Sequence, residues 1–66
     1  MNIKINGKVE KLDRPSTVEA LVSGKGLCAD RIVIEHNRRI VPKEEWAGII
    51  LREDDSIEIV SFVGGG

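Results

Sequence analysis

Apolar and polar residues alternate at the start of the chain. From Met1 to Ile5 every second residue is apolar, and a period of two is typical of a strand with one buried face. The next dipeptide, Asn6-Gly7, favours a type I′ turn, because both central residues of that turn need positive φ. We therefore predict a β-hairpin whose returning strand spans Lys8 to Leu12, with Val9 as its clearest inward-facing residue.

A short helix is predicted after the hairpin. The sequence Ser16-Thr17-Val18-Glu19 matches the capping box, in which the Ser and Glu side chains bind each other's exposed backbone amides at a helix start. Three apolar residues then share the spacing i, i+3 and i+4, namely Val18, Leu21 and Val22. This spacing gives a narrow apolar stripe that can lie on a sheet, and Gly24 is a stop signal that keeps the helix short.

The remainder of the chain divides into short elements. We predict a third strand, a turn, a fourth strand, a brief helix, a further short strand, a polar turn and a last strand, in that order, at residues 31–36, 37–38, 39–41, 42–46, 49–51, 53–56 and 57–63. Trp46 is interpreted as core filler in preference to an exposed contact, because one aromatic ring supplies much of the area of a small core.

This order of elements predicts the fold class. A hairpin, one helix and later strands indicate an α+β protein, with a mixed sheet of four to five strands and the main helix packed on one face. With the C-terminal strand beside the N-terminal one, the arrangement resembles the β-grasp fold of ubiquitin-like proteins. We predict a β-grasp domain at residues 1–63 and a flexible glycine tail at residues 64–66, since glycine has the most backbone freedom to lose on folding.

The composition argues against several classes of function. The chain has 66 residues and a net charge of −1, without the basic stripe of a nucleic-acid-binding protein. A chain this short buries only about 60% of its unfolded surface, so neither an enclosed substrate pocket nor a self-contained enzyme is expected. We also expect no signal peptide, because the strand pattern begins at Met1, and no apolar run approaches the length of a membrane span.

The individual polar residues offer little chemistry. Cys28, the only cysteine, cannot form an intrachain disulfide, as suits the cytoplasm, and we expect it to pack as a small hydrophobe. His36 lacks a cysteine or second histidine to complete a metal site and is expected to end a strand. The carboxylates of Glu53–Asp55 are interpreted as a solvated turn. We therefore expect no catalytic residue and no bound metal.

The last strand presents different residues on its two faces. Ile57, Ile59, Ser61 and Val63 share one parity, and Glu58, Val60 and Phe62 share the other. If the helix covers the first set, Val60 and Phe62 face outward. They would then form a docking patch for another protein beside the tail. The alternative is a bulge or a second small core that covers Phe62.

The glycines that close the sequence, Gly64–Gly66, are suited to carry a reactive end. A terminal carboxylate on Gly66 is ionised at neutral pH, and no side chain hinders its reaction. Three residues reach at most ~10–11 Å when fully extended. That reach is enough to enter a narrow channel of a partner while the domain stays outside.

Over essentially its full length the chain resembles the ThiS family of sulfur carrier proteins in thiamine biosynthesis. The resemblance is carried by Asn6-Gly7, Asn37, Ile40-Val41-Pro42, Trp46, the acidic turn at 53–55 and the end at 57–66. A third glycine before the family's usual pair is a small variation. Ubiquitin-like modifiers and the small subunit of molybdopterin synthase share a diglycine end, so both remain alternatives, as does a small interaction module with a frayed tail.

The resemblance implies a carrier and not an enzyme. A ThiF-type adenylyltransferase would use ATP and magnesium, held by that partner, to adenylate the carboxylate of Gly66. Sulfur from a cysteine desulfurase would replace the AMP to give a thiocarboxylate, and thiazole synthase (ThiG) would use that sulfur. Gly64 and Gly65 would be the slender arm that enters the partner's active site, and Val60 and Phe62 the partner-contact surface. A cytoplasmic protein, monomeric when free and without a bound cofactor, is expected.

Overall fold

The structure is a computed structural model that describes residues 1–62. Val63 and the predicted tail at 64–66 lie outside the described residues. Within residues 1–62 the chain forms β1 (Asn2–Ile5), β2 (Lys8–Lys11), α1 (Val18–Gly24), a first 3₁₀ helix (Ala29–Arg31), β3 (Ile32–His36), β4 (Arg39–Val41), a second 3₁₀ helix (Lys43–Gly48) and β5 (Ser56–Ser61). The second 3₁₀ helix is the brief helix predicted from the sequence.

The strands form one mixed sheet with the order β2-β1-β5-β3-β4. β1 pairs antiparallel with β2 and parallel with β5, and β3 pairs antiparallel with both β5 and β4. The C-terminal strand therefore lies at the centre of the sheet, beside the N-terminal strand. The predicted α+β arrangement, a mixed sheet of four to five strands with one main helix, is confirmed, and the sheet has five strands.

One hydrophobic core lies between the sheet and α1. Its buried residues are Ile3, Ile5, Val18, Leu21, Val22, Ile32, Ile34, Val41, Trp46, Leu51 and Ile57. The predicted apolar stripe of α1 is thus confirmed, and so is the core position of Trp46. The indole Nε1–H of Trp46 donates to the carbonyl oxygen of Val41 at 3.0 Å, which satisfies the one polar group of this buried side chain.

The first hairpin has the predicted turn but not the predicted inward residue. Asn6 and Gly7 both have positive φ, of 51° and 82°, as a type I′ turn requires. The turn pairs Ile3 with Glu10 and Lys4 with Val9. Residues directly opposite each other share a face, so Val9 lies with Lys4 on the solvent side and is 63% exposed. The prediction that Val9 faces inward is wrong.

The predicted capping box of α1 is also wrong. The N-cap is Thr17, whose hydroxyl oxygen accepts a hydrogen bond from the amide of Ala20 at 3.1 Å. Because the cap is one residue later than predicted, the third helical position is Ala20 and not Glu19, and alanine cannot return a hydrogen bond. The carbonyl oxygen of Ser16 instead accepts from the amide of Leu51 at 2.8 Å.

Two further local predictions, a strand at 49–51 and a packed Cys28, are wrong. The segment 49–51 is not a strand, because Ile50 makes only an isolated bridge to Thr17 and the chain enters α1 directly after Thr17. Cys28 is exposed and does not pack as a small hydrophobe. Its neighbours Leu27 and Ala29 pack against the core in its place.

Candidate functional site

The candidate site begins on the face of the sheet opposite α1, which we call the outer face. On β5 the inward Ile57 is fully buried, while Val60 and Phe62 are 54% and 48% exposed. The predicted parity is confirmed for Ile57, Val60 and Phe62, whereas Ser61 of the inward set is exposed. Strand β5 begins at Ser56 and ends at Ser61, and Val63 lies outside the described residues. Phe62 keeps about half of its surface open, so no second core of described residues encloses it.

A residue of β3 extends this exposed surface. Val33 lies directly opposite Val60 in the antiparallel ladder between β3 and β5, and it is 36% exposed. Opposite residues in such a ladder have neighbouring side chains on one face. We call Val33, Val60 and Phe62 the apolar patch. The alternation of apolar residues in the sequence of β3 predicts that Val33 lies on the other face of the sheet from Ile32 and Ile34. It does not show that β3 lies beside β5.

The apolar patch has an acidic border. Glu35 and Glu58 are directly opposite each other in the same ladder, two residues along each strand from Val33 and Val60. They are therefore the next pair on the outer face. Neither belongs to an ion pair of the described residues, whose three ion pairs join Lys25 to Glu10, His36 to Asp55 and Lys43 to Asp30. Like charges directly opposite each other in a ladder are destabilising, so a positive charge brought near this pair would relieve the repulsion.

The end of β5 is held against β3. Ile32 pairs with Ser61, and the amide of Phe62 donates to the carbonyl oxygen of Arg31 at 3.0 Å. These contacts hold the backbone of Val60 and Phe62 on the edge of β5 that faces β3. The last described residue, Phe62, therefore lies at the end of the central strand and belongs to the apolar patch.

A polar network lies at the other end of β5. His36 ends β3 as predicted, and its Nε2 is 2.9 Å from Oδ2 of Asp55, while Nδ2 of Asn37 donates to Oδ1 of Asp55 at 3.1 Å. Partial burial by itself raises the pKa of Asp55, but the hydrogen bonds from His36, Asn37 and the Arg52 amide together hold that pKa below its usual value. The network joins the β3–β4 turn to the turn before β5.

The described residues offer no metal centre. Within residues 1–62 no group of three or more His, Cys, Asp or Glu side chains is placed to hold a metal ion. No helix in this part of the chain is both long enough and apolar enough to cross a membrane. The predicted roles of Gly64, Gly65 and Gly66 fall on residues outside the described range and stay predictions.

Comparison with known proteins identifies the family. The model of the ThiS family matches residues 3–66. The chain belongs to the ThiS family. It is 35% identical over 65 residues to the sulfur carrier protein ThiS of Bacillus subtilis (strain 168). The aligned region covers 97% of this chain and 98% of that protein.

Two longer relatives carry a different name. Thiazole synthases of Magnetococcus marinus and Paramagnetospirillum magneticum are 35% and 38% identical to this chain over 66 residues. These matches cover all of the chain but only 20% of each relative. The chain thus spans about a fifth of the length of these two proteins.

A solved structure of a ThiS protein has the same fold as this chain. The crystal structure of the thiamine biosynthesis protein ThiS from Geobacter metallireducens matches with a TM-score of 0.86 and 28% sequence identity, covering 100% of both chains. The mixed five-stranded sheet with one main helix is therefore the ubiquitin-like β-grasp fold of this family.

Proposed function

We propose that the protein is a sulfur carrier in thiamine biosynthesis and that the terminal carboxylate of Gly66 carries the sulfur as a thiocarboxylate. The observation that supports this most directly is the match to the ThiS family, which continues through the glycines to residue 66. The near full-length match to the Bacillus subtilis sulfur carrier supports it as well. On this proposal the chain is the substrate of its partners and not itself an enzyme.

The proposed chemistry has two steps, both at Gly66. A carboxylate oxygen attacks the α-phosphorus of ATP, which is held with magnesium by a ThiF-type partner, and pyrophosphate leaves. A sulfur nucleophile then attacks the carbonyl carbon of the acyl adenylate and expels AMP. Because glycine has no side chain, neither attack is hindered. Gly64 and Gly65 are the arm that enters the partner's active site.

The reach of the tail supports a docking role for the apolar patch. The four residues after Phe62, at 63–66, span at most ~13–14 Å when fully extended. An enzyme that acts on Gly66 must therefore bring its active site close to Phe62, and its surface then lies against Val60 and Val33. We propose that the ThiF-type partner covers the apolar patch and places a basic residue near Glu35 and Glu58.

The two longer relatives support thiazole synthase as the sulfur acceptor. Each is named thiazole synthase and contains, in a fifth of its length, a segment similar to this entire chain. Joining two modules in one polypeptide raises the effective concentration of each for the other, which benefits modules that exchange a group. This observation favours the thiamine pathway over the molybdopterin alternative. In the pathway a cysteine desulfurase is the proposed source of the sulfur.

The test is an intact-mass measurement. The protein is incubated with a ThiF-type enzyme, magnesium, ATP and sodium sulfide, since sulfide can expel AMP directly and give a thiocarboxylate. We expect the mass to rise by the difference between one sulfur and one oxygen atom. A variant with one residue added after Gly66 and a reaction without ATP are the controls, and both should keep their original mass. An unchanged mass for the protein, while Bacillus subtilis ThiS is converted in a parallel reaction, contradicts the proposal.

A second assay separates the alternatives. The thiocarboxylated protein is supplied either to thiazole synthase with its other substrates or to the large subunit of molybdopterin synthase. Sulfur is expected in the thiazole product only. A blot of ATP-supplied cell extract for conjugates of higher mass tests the ubiquitin-like modifier, and the proposal predicts none.

A further inference from the structure

The side chain of Asn6 completes the β1 edge of β5. The backbone pairing of β1 with β5 runs from Lys4 and Ser56 to Ile5 and Ile57. Beyond it, the amide of Ile59 donates to Oδ1 of Asn6 at 2.7 Å, and Nδ2 of Asn6 donates to the carbonyl oxygen of Ile59 at 3.2 Å. One side-chain amide thus supplies the acceptor and the donor that a further residue of a neighbouring strand would supply.

This contact lies close to the apolar patch. Ile59 directly precedes Val60, and among the hydrogen bonds of residues 1–62 the Asn6 pair is the last on the β1 edge of β5. On the opposite edge the support from β3 continues to Phe62, whose amide donates to Arg31. The segment that leads to the tail is therefore held on both edges as far as Ile59 and on one edge beyond it.

We infer that Asn6 is a positioning residue for the reaction at Gly66. The inference rests on the proposed function. By fixing the backbone at Ile59, Asn6 holds Val60 and Phe62 in one arrangement before the adenylating partner binds. A segment that is ordered in advance loses less conformational entropy on binding. Without the clamp only a fraction of molecules has the competent arrangement, and the apparent affinity falls by that fraction.

The turn itself does not require asparagine at this position. Asn6 has φ 51°, and glycine adopts this conformation readily. Gly-Gly is one of the favoured type I′ pairs, so the substitution Asn6→Gly should keep the hairpin turn while it removes both hydrogen bonds to Ile59. The variant therefore separates the clamp from the turn.

Asn37 provides a matched control. It also has positive φ in a turn, at 50°, and its Oδ1 accepts a hydrogen bond from the amide of Ser56 at 2.8 Å. Ser56 is the first residue of β5, so this clamp acts at the end of the strand far from the tail. Asn37→Gly removes this contact and the hydrogen bond from Nδ2 to Asp55. It therefore loses as many side-chain hydrogen bonds at the start of β5 as Asn6→Gly loses at Ile59, without loosening the segment beside the apolar patch.

The experiment measures pyrophosphate release by a ThiF-type enzyme at increasing concentrations of each carrier, together with amide hydrogen exchange of the free carriers. For Asn6→Gly we expect KM to rise about three- to tenfold with kcat within about twofold, because the clamp acts before the chemical step. The exchange rate of the Ile59 amide should rise about fivefold, as suits the loss of one hydrogen bond. For Asn37→Gly we expect KM within about twofold of the unchanged protein.

The outcomes separate the inference from the proposed function. If the unchanged protein is adenylated but Asn6→Gly has the same KM, or if Asn37→Gly raises KM as much, the positioning role is wrong. Unchanged exchange at Ile59 also contradicts it. If the unchanged protein is not adenylated, the proposed function fails and the inference fails with it. Should Asn6→Gly not fold, Asn6→Asp serves instead, because it keeps the acceptor for Ile59 but places an oxygen against the Ile59 carbonyl. Its KM should rise in the same direction.

Discussion

The substitution Phe62→Ala tests the docking role of the apolar patch. A phenylalanine side chain buries about 150–250 Å² when it is fully covered, and Phe62 is 48% exposed in the free protein. A partner that covers the ring therefore removes roughly 100 Å² of apolar surface from water. At about 25 cal/mol per Å² this area contributes about 2–2.5 kcal/mol, of which the methyl group of alanine retains a small part.

The assay is pyrophosphate release by a ThiF-type enzyme as a function of carrier concentration. A loss of about 2 kcal/mol corresponds to a rise in KM of roughly 30-fold. The ring makes the same contact in the ground state and in the transition state, so kcat should stay within about twofold. The free energy of unfolding should also fall, by up to about 2 kcal/mol, because the other half of the ring is buried in the free protein. Urea titration therefore checks that the variant is folded under the assay conditions.

Val9→Ala is the matched control for Phe62→Ala. Val9 is also an exposed apolar residue of the outer face, but β1 separates its strand from β5. Its loss should leave KM within about twofold. A folded Phe62→Ala protein with an unchanged KM would refute the docking role, and an equal rise in KM for Val9→Ala would show that the contact is not specific to the apolar patch.

Three further predictions concern stability. Trp46→Phe removes the indole hydrogen bond to the carbonyl oxygen of Val41 and leaves a cavity in the core where the larger ring was, so urea titration followed by circular dichroism should show a free energy of unfolding lower by about 2–4 kcal/mol. A loss below about 1 kcal/mol would contradict this. The pKa of Asp55 is below its ordinary value of 3.8, so the folded state binds this proton more weakly than the unfolded state does. The resulting stabilisation is fully present above the unfolded pKa and is lost as the pH falls through the lower folded pKa. Asp55→Asn should therefore reduce the dependence of stability on pH below about pH 4, whereas a profile parallel to that of the unchanged protein would argue against the role of His36 and its neighbours in this shift. Val9→Thr lies on an exposed edge strand and should change the free energy of unfolding by less than about 0.5 kcal/mol, and a larger loss would show that Val9 is packed.

The sequence predicts best where geometry alone assigns a face. In β5 successive side chains must point to opposite faces, so the burial of Ile57 and the exposure of Val60 follow from parity once one face is covered. The same holds for the stripe of α1. The prediction for Val9 was wrong because it rested on the hydrophobicity of the residue and not on the register of the hairpin. A two-residue turn at Asn6-Gly7 pairs Lys4 with Val9, and this register places Val9 on the outer face.

Predictions failed where distant contacts decide between adjacent candidates. Ser16 and Thr17 are both good N-cap residues, and local pattern does not choose between them. In the folded chain the carbonyl oxygen of Ser16 accepts from the amide of Leu51, and Thr17 bridges to Ile50. These contacts place Thr17, and not Ser16, at the N-cap of α1. The contact of Asn6 with Ile59 is equally hidden from local pattern, because 53 residues separate its two partners in the chain.

The central position of β5 explains how one small domain can combine a core with the proposed docking surface. Placed between β1 and β3, the strand has its inward side chains covered by α1 and its outward side chains free. Substitutions at the inward Ile57 should therefore change mainly the free energy of unfolding, and substitutions at the outward Val60 mainly the affinity for a partner. Because the two sets alternate along a single strand, the core that stabilises β5 also holds Val60 in place on the outer face, and under the proposed function it would set where Gly66 is presented to a partner.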